Sequence, residues 1–146
     1  MRFFSNIFKP KRKIIVETQL GDFALTYSRG DKNIWTNNTG EFLMSVRGTD
    51  IEPGKEQLGF LEKVDAEIQK LDEKITKRFI KEFTEAGLKT NFKHWKERFK
   101  IVATEVMIIF QEEAFWNITF EDLKEPYAHF TLYIEGLKTT DFSIDT

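Results

Sequence analysis

The sequence has no cysteine among its 146 residues, three prolines, two histidines and no long apolar run. Each shortage excludes a class of chemistry. Without cysteine there is no disulfide, no thiolate nucleophile and no cysteine-ligated zinc or iron–sulfur site. A membrane-crossing helix needs about 20 predominantly apolar residues. The sequence nowhere supplies them, so no stable membrane insertion is expected. Neither G-x-x-x-x-G-K-S/T nor G-x-G-x-x-G occurs to wrap a phosphate, and none of the four serines (Ser5, Ser28, Ser45, Ser143) lies in a G-x-S-x-G elbow. The two histidines, His94 and His129, stand 35 positions apart with no H-x-x-x-H or H-x-x-E-H pattern, so metal-ligand spacing is lacking too. These shortages lead to the expectation of a non-enzymatic protein with no metal and no cofactor.

What is present describes a folded globule. Hydrophobic residues make up 40% and charged residues 32%, and fifteen phenylalanines point to a core built of aromatic rings. One domain spanning residues 1–146 is expected at this length. At its start, Phe3, Phe4, Ile7 and Phe8 are followed by Lys9, Lys11, Arg12 and Lys13. A secretion signal places its charge before the apolar stretch rather than after it. With no glycine after Met1 and no cysteine to acylate, lipidation motifs are missing as well. The reading is a cytoplasmic protein whose residues 1–13 pack on or beside the domain. An interfacial helix formed by the same residues would make it a membrane-surface or scaffold adaptor instead.

Turn residues and alternation predict two antiparallel meanders. "KIIVET", "DFALTYS", "NIWTN" and "EFLMSVRG" are β-branched or aromatic runs separated by "LGD", "RGDK" and "NNTG". "KIVATEVMIIF", "FWNITFED", "HFTLYIEG" and "TTDFSID" form a second such set. Between them Leu58, Leu61, Val64, Ile68, Leu71, Ile75, Phe79 and Phe83 recur every three or four positions, which predicts one long helix. Pro53 and Gly54 mark its entry and Gly87 its exit, so it should run 32 residues, from Lys55 to Ala86. A short second helix is expected in "TNFKHWKERF", with Phe92, Trp95 and Phe99 on one face. The fold class is therefore α+β: N- and C-terminal meanders packed with one long central helix. Leu61, Ile68, Leu71, Ile75, Phe79, Trp116, Ile118, Phe120, Phe130 and Leu132 should lie in the core. A homodimer with the long helix as a coiled-coil seam is the alternative use of the stripe.

Charge is laid out unevenly behind a net of −2: residues 1–13 carry five bases and no acids, residues 99–146 nine acids and three bases. The basic, aromatic stretch "LKTNFKHWKERFK" has the composition of a nucleic-acid binder. Its aromatics are needed for the core, however, and no nucleic-acid partner is expected. The acidic C-terminal third is the stronger signal, since clustered carboxylate steers a cationic partner. Glu112, Glu113, Glu121, Asp122 and Glu125 in its turns, with His129 and Tyr133 on a strand's polar face, are the candidate partner-binding residues. Paired carboxylates such as Glu121 and Asp122 could also serve acid–base chemistry if one were buried, which leaves a small enzyme as an alternative.

The order of "GDFALTYSRGDKNIWT", a proline-led long helix, "FKHWKERF" and the acidic strands "FWNITFED" and "AHFTLYIEG" resembles the small bacterial immunity proteins encoded beside polymorphic or contact-dependent toxins. The likeness is one of layout and runs from Gly21 onward. It implies a dedicated binder that covers a toxin's active site or holds the toxin distorted, with no catalytic residues of its own. Its partner would be a cognate toxin domain with a basic surface.

Overall fold

The strands follow the turn punctuation closely. In the computed structural model, which describes residues 13–145, the first third forms β1 (Ile15–Thr18), β2 (Gly21–Arg29), β3 (Lys32–Asn37) and β4 (Leu43–Arg47). The last third forms β5 (Phe99–Phe110), β6 (Glu113–Asp122), β7 (His129–Glu135) and β8 (Lys138–Asp145). Between them lie α1 (Lys55–Leu61), α2 (Val64–Lys70), α3 (Asp72–Glu85) and a single 3-10 turn at Trp95–Glu97. The expected packing of residues 1–13 falls almost wholly outside the described residues.

The expected arrangement of two meanders around one long central helix is overturned. The described chain is mostly sheet, with short helices. β4 pairs in parallel with β5, from Leu43 against Ala103 to Val46 against Val106, while the other neighbouring pairs are antiparallel. The two meanders thus merge into one eight-stranded mixed sheet in the order β1 to β8. Fusion satisfies the backbone groups of two strands that would otherwise be edges. A parallel pair also needs a long crossover, and residues 48–98 provide it.

The expected long helix is broken at Lys63 and at Leu71, and its apolar spacing accounts for the first break. Leu58, Leu61 and Val64 are three apart, and each step of three falls about 60° short of a full turn. A straight helix would therefore turn Leu58 and Val64 about 120° apart, too far for both to face one sheet. The chain corrects the phase with i→i+3 closures. Lys63 N–H donates to the Phe60 carbonyl at 2.9 Å, and Leu71 N–H to the Ile68 carbonyl at 3.0 Å. Lys63 (φ −105°, ψ 5°) and Leu71 (φ −93°, ψ −1°) both leave regular helical geometry. Neither break carries proline or glycine, so the sequence holds no punctuation there. The helix end was legible: Gly87 has φ 72°, and Leu88 N–H donates to the Phe83 carbonyl at 2.8 Å. The second expected helix, over residues 90–99, shrinks to the 3-10 turn because Phe99 already begins β5. Phe92, Trp95 and Phe99 are nonetheless buried.

The helices cover one face of the sheet. All eight residues of the helical stripe, and all ten expected core residues, are buried there, so a coiled-coil seam would have to compete with the core for the same side chains. Phe79 on α3 is the centre of the packing. Its ring stacks on Phe99 at 4.1 Å and meets Phe120, Phe130 and Phe142 edge-on at 5.0, 5.7 and 5.3 Å. Such pairs contribute about 0.5–1.5 kcal/mol each beyond area burial. α3 also guards the sheet edge. Lys74 Nζ donates to the Leu137 carbonyl at 2.6 Å and Arg78 Nη1 to the Thr139 carbonyl at 3.1 Å, so outward carbonyls beside β8 are not left for another chain.

Leu71 is fully buried at the second break, so Leu71→Ala should cost about 2–5 kcal/mol in urea denaturation. A loss below about 0.5 kcal/mol would place it outside the core. The β5–β6 turn makes the opposite forecast. Gln111 and Glu112 hold φ of 50° and 66°, which a tight hairpin of this hand demands and Asn-Gly adopts more easily. Gln111→Asn with Glu112→Gly should raise stability by about 1 kcal/mol. An unchanged or lower denaturation midpoint would argue against strain at the turn.

Candidate functional site

Alternation along each strand sends every second side chain away from the helices. Cross-strand register then assembles those side chains into rows. Ala24, Thr36, Ser45, Glu105, Asn117, Tyr133 and Asp141 form one row from β2 to β8. Leu43, Ala103, Thr119, Thr131 and Ser143 form the next, and Lys100, Glu121, His129 and Asp145 a third. Hydroxyls are hydrogen-bonded across this face: Thr26 to Thr36 at 2.9 Å, Thr36 to Ser45 at 3.1 Å and Thr119 to Thr131 at 3.1 Å. Arg47 Nε donates to Glu105 Oε2 at 2.8 Å, which neutralises the acid nearest the parallel seam.

The expected site residues are distributed over this framework rather than gathered. Glu121 and His129 are direct cross-strand neighbours, and Tyr133 faces Asn117 and Asp141 two rows away. Glu113 shares the face but starts β6, about 26 Å along the strand from Glu121. Glu112 sits at the tip of the β5–β6 hairpin, and Glu125 is exposed in the β6–β7 loop.

Asp122 lies elsewhere. It points to the helix side with its side chain 1% exposed, because its neighbour Glu121 takes the outer face. Arg98 Nη2 donates to Asp122 Oδ2 at 2.8 Å, and Arg98 Nε reaches both oxygens at 3.1 and 3.2 Å. Lys124 N–H adds a bond at 2.9 Å. Burial pushes the Asp122 carboxyl upward, but the Arg98 guanidinium and the backbone N–H groups outweigh it and hold the group below the usual aspartate range. Asp122 is a clamp holding the end of the crossover at β5 to the end of β6.

A second polar cluster was not foreseen. Asp72, at the start of α3, accepts from His94 Nε2 at 2.6 Å and from Trp95 Nε1 at 2.9 Å. These bonds, the one from His94 foremost, hold its carboxyl below the usual range against the upward push of burial. His94 Nδ1 accepts from Lys96 N–H at 3.2 Å, which puts the ring proton on Nε2. Both ring nitrogens are thus committed to structure, and the imidazole has no free lone pair to act as a base. Glu97 accepts from His94 N–H at 2.8 Å, completing a capping box. "HWKE" carries a version of that local signal. Asp72, 22 residues upstream, could not be read from it.

Among the described residues, no three His, Asp or Glu side chains converge as metal ligands, and no helix is long and apolar enough to cross a membrane. Comparisons with protein-family models, curated protein sequences and solved structures returned no match to this chain.

Removing Arg98 would leave Asp122 buried and unpaired, so Arg98→Ala should cost roughly 3–5 kcal/mol. Both depressed carboxyls also predict acid lability. An aspartate lowered in the folded state adds stability above its unfolded value of about 3.9, and that stability is lost as pH falls through the folded value. Denaturation midpoints should therefore hold steady from neutral pH to about 5 and drop below 4. Asp122→Asn should flatten that acid limb while lowering stability at neutral pH; an unchanged limb would mean the pair does not carry it.

Proposed function

We propose that this chain is a non-enzymatic, cytoplasmic binding protein of the immunity type, which neutralises a bacterial toxin domain through the outer face of its sheet. The observation that carries this reading is the charge of that face across β5–β8. Glu113, Glu121, Glu135, Asp141 and Asp145 alternate outward against Lys100 and Lys138, with Glu105 already paired to Arg47. No described helix lies over these side chains. Carboxylates on a rigid sheet keep their spacing, so they steer a cationic partner into one orientation at little entropic cost. Glu113, Glu121, His129 and Tyr133 are the contact residues in this reading, with Glu112 and Glu125 at the rim.

The test is association with the toxin domain encoded by the neighbouring reading frame. Glu121→Lys, Asp141→Lys and Asp145→Lys together should slow association about tenfold or more at low salt, and the difference should shrink as ionic strength rises. His129→Ala and Glu113→Gln should each leave neutralisation nearly intact. The reading fails if one of these single substitutions abolishes activity on a small molecule while charge reversal does nothing.

A further inference from the structure

A cleft of about 900 Å³ opens where α1 passes the β5–β6 hairpin. Gly59 and Phe60 line it from α1, and Ile109 lines it from the end of β5. The Phe60 ring packs edge-on against fully buried Trp116 at 5.0 Å, so this wall is anchored in the core. Ile109 pairs with Ala114 on the helix side, while Phe110 pairs with Glu113 and turns its side chain to the outer face. Among the described residues, a Cβ on Gly59 would meet no atom within 4 Å. Glu56, Glu62 and Glu112 stand at the rim with Lys63 as the one base. Neither the helix nor the hairpin uses its most favourable residues at this spot. Gly59 interrupts α1 where alanine would favour the helix, and Gln111 and Glu112 keep side chains at positive φ.

We propose that this cleft receives an aromatic side chain flanked by lysine or arginine on a partner protein. The aromatic ring fits against Phe60 and Ile109 on the helix side of the sheet, where an edge-on contact to Phe60 is available. The basic flanks meet a rim of three acids and one base. The proposal rests on the binding-protein reading and names the kind of segment that reading requires. The hairpin tip joins the two surfaces, since Glu112 lines the cleft and Glu113 begins the acidic face. One partner can therefore engage both.

The probe is a short amidated peptide with one tryptophan between two pairs of lysines, titrated into the full chain and followed by amide NMR shifts. Saturable shifts are expected at Gly59, Phe60, Gln111 and Glu112. A twin with alanine for tryptophan should bind about tenfold more weakly, and a glutamate-flanked twin should not bind. Gly59→Leu, which fills the cleft without entering the core, should weaken the tryptophan peptide about tenfold or more while the melting temperature holds. Glu56→Lys with Glu62→Lys, at exposed rim positions, is the second variant and should act in the same direction. Equal binding by the alanine peptide, or binding untouched by both variants, overturns the proposal. So does movement of the cleft amides in the peptide-free protein on Phe3→Ala with Phe4→Ala, which would make the chain's own N-terminus the occupant. Failure of the binding-protein reading shows separately, as toxin association indifferent to reversal of Glu121, Asp141 and Asp145.

Discussion

The parallel pairing of β4 with β5 is the contact on which the other features depend. Parallel neighbours cannot be joined by a tight turn, so the chain must leave the sheet after β4 and return to the same end before starting β5. The intervening residues carry every described helix. Because the crossover is apolar along one stripe, it lies down on one face and buries the middle of that face. The same pairing fuses two four-stranded meanders, each with one apolar side, into a single surface wide enough to hold three helical segments.

That crossover is long, and its position is fixed by polar clamps as well as by rings. Asp72 ties the start of α3 to the 3-10 turn through His94 and Trp95, and Arg98 ties the last crossover residue to Asp122 at the end of β6. The Arg98 guanidinium also rests over Phe83 and Phe99, at 5.2 and 5.7 Å. Aromatic packing around Phe79 tolerates sliding. Directional hydrogen bonds to carboxylates do not. Together they set both the depth and the register of the helical layer.

With one face committed to the core, function falls to what remains outside: the polar rows of the outer sheet face and the cleft beside the hairpin. Their chemistry is complementary. The face is broad and acidic and is suited to orienting a basic partner at a distance, while the cleft is narrow and apolar-walled and is suited to holding a side chain once contact is made.

The sequence by itself determined the strands, because alternation and turn residues are local signals and each strand lies where its own residues put it. It also determined which side chains are buried, since apolar spacing along the helical stripe is maintained through both breaks. The outer-face positions of Glu121, His129 and Tyr133 were legible for the same reason. Only the tertiary structure decided that the meanders join, as strand partnership across residues 48–98 is a long-range choice that no local pattern encodes. The helix breaks at Lys63 and Leu71 were decided there too. Neither carries a breaker residue. Asp122 shows the limit most plainly: its sequence neighbours mark it as another surface acid, and the guanidinium that buries it comes from 24 residues away.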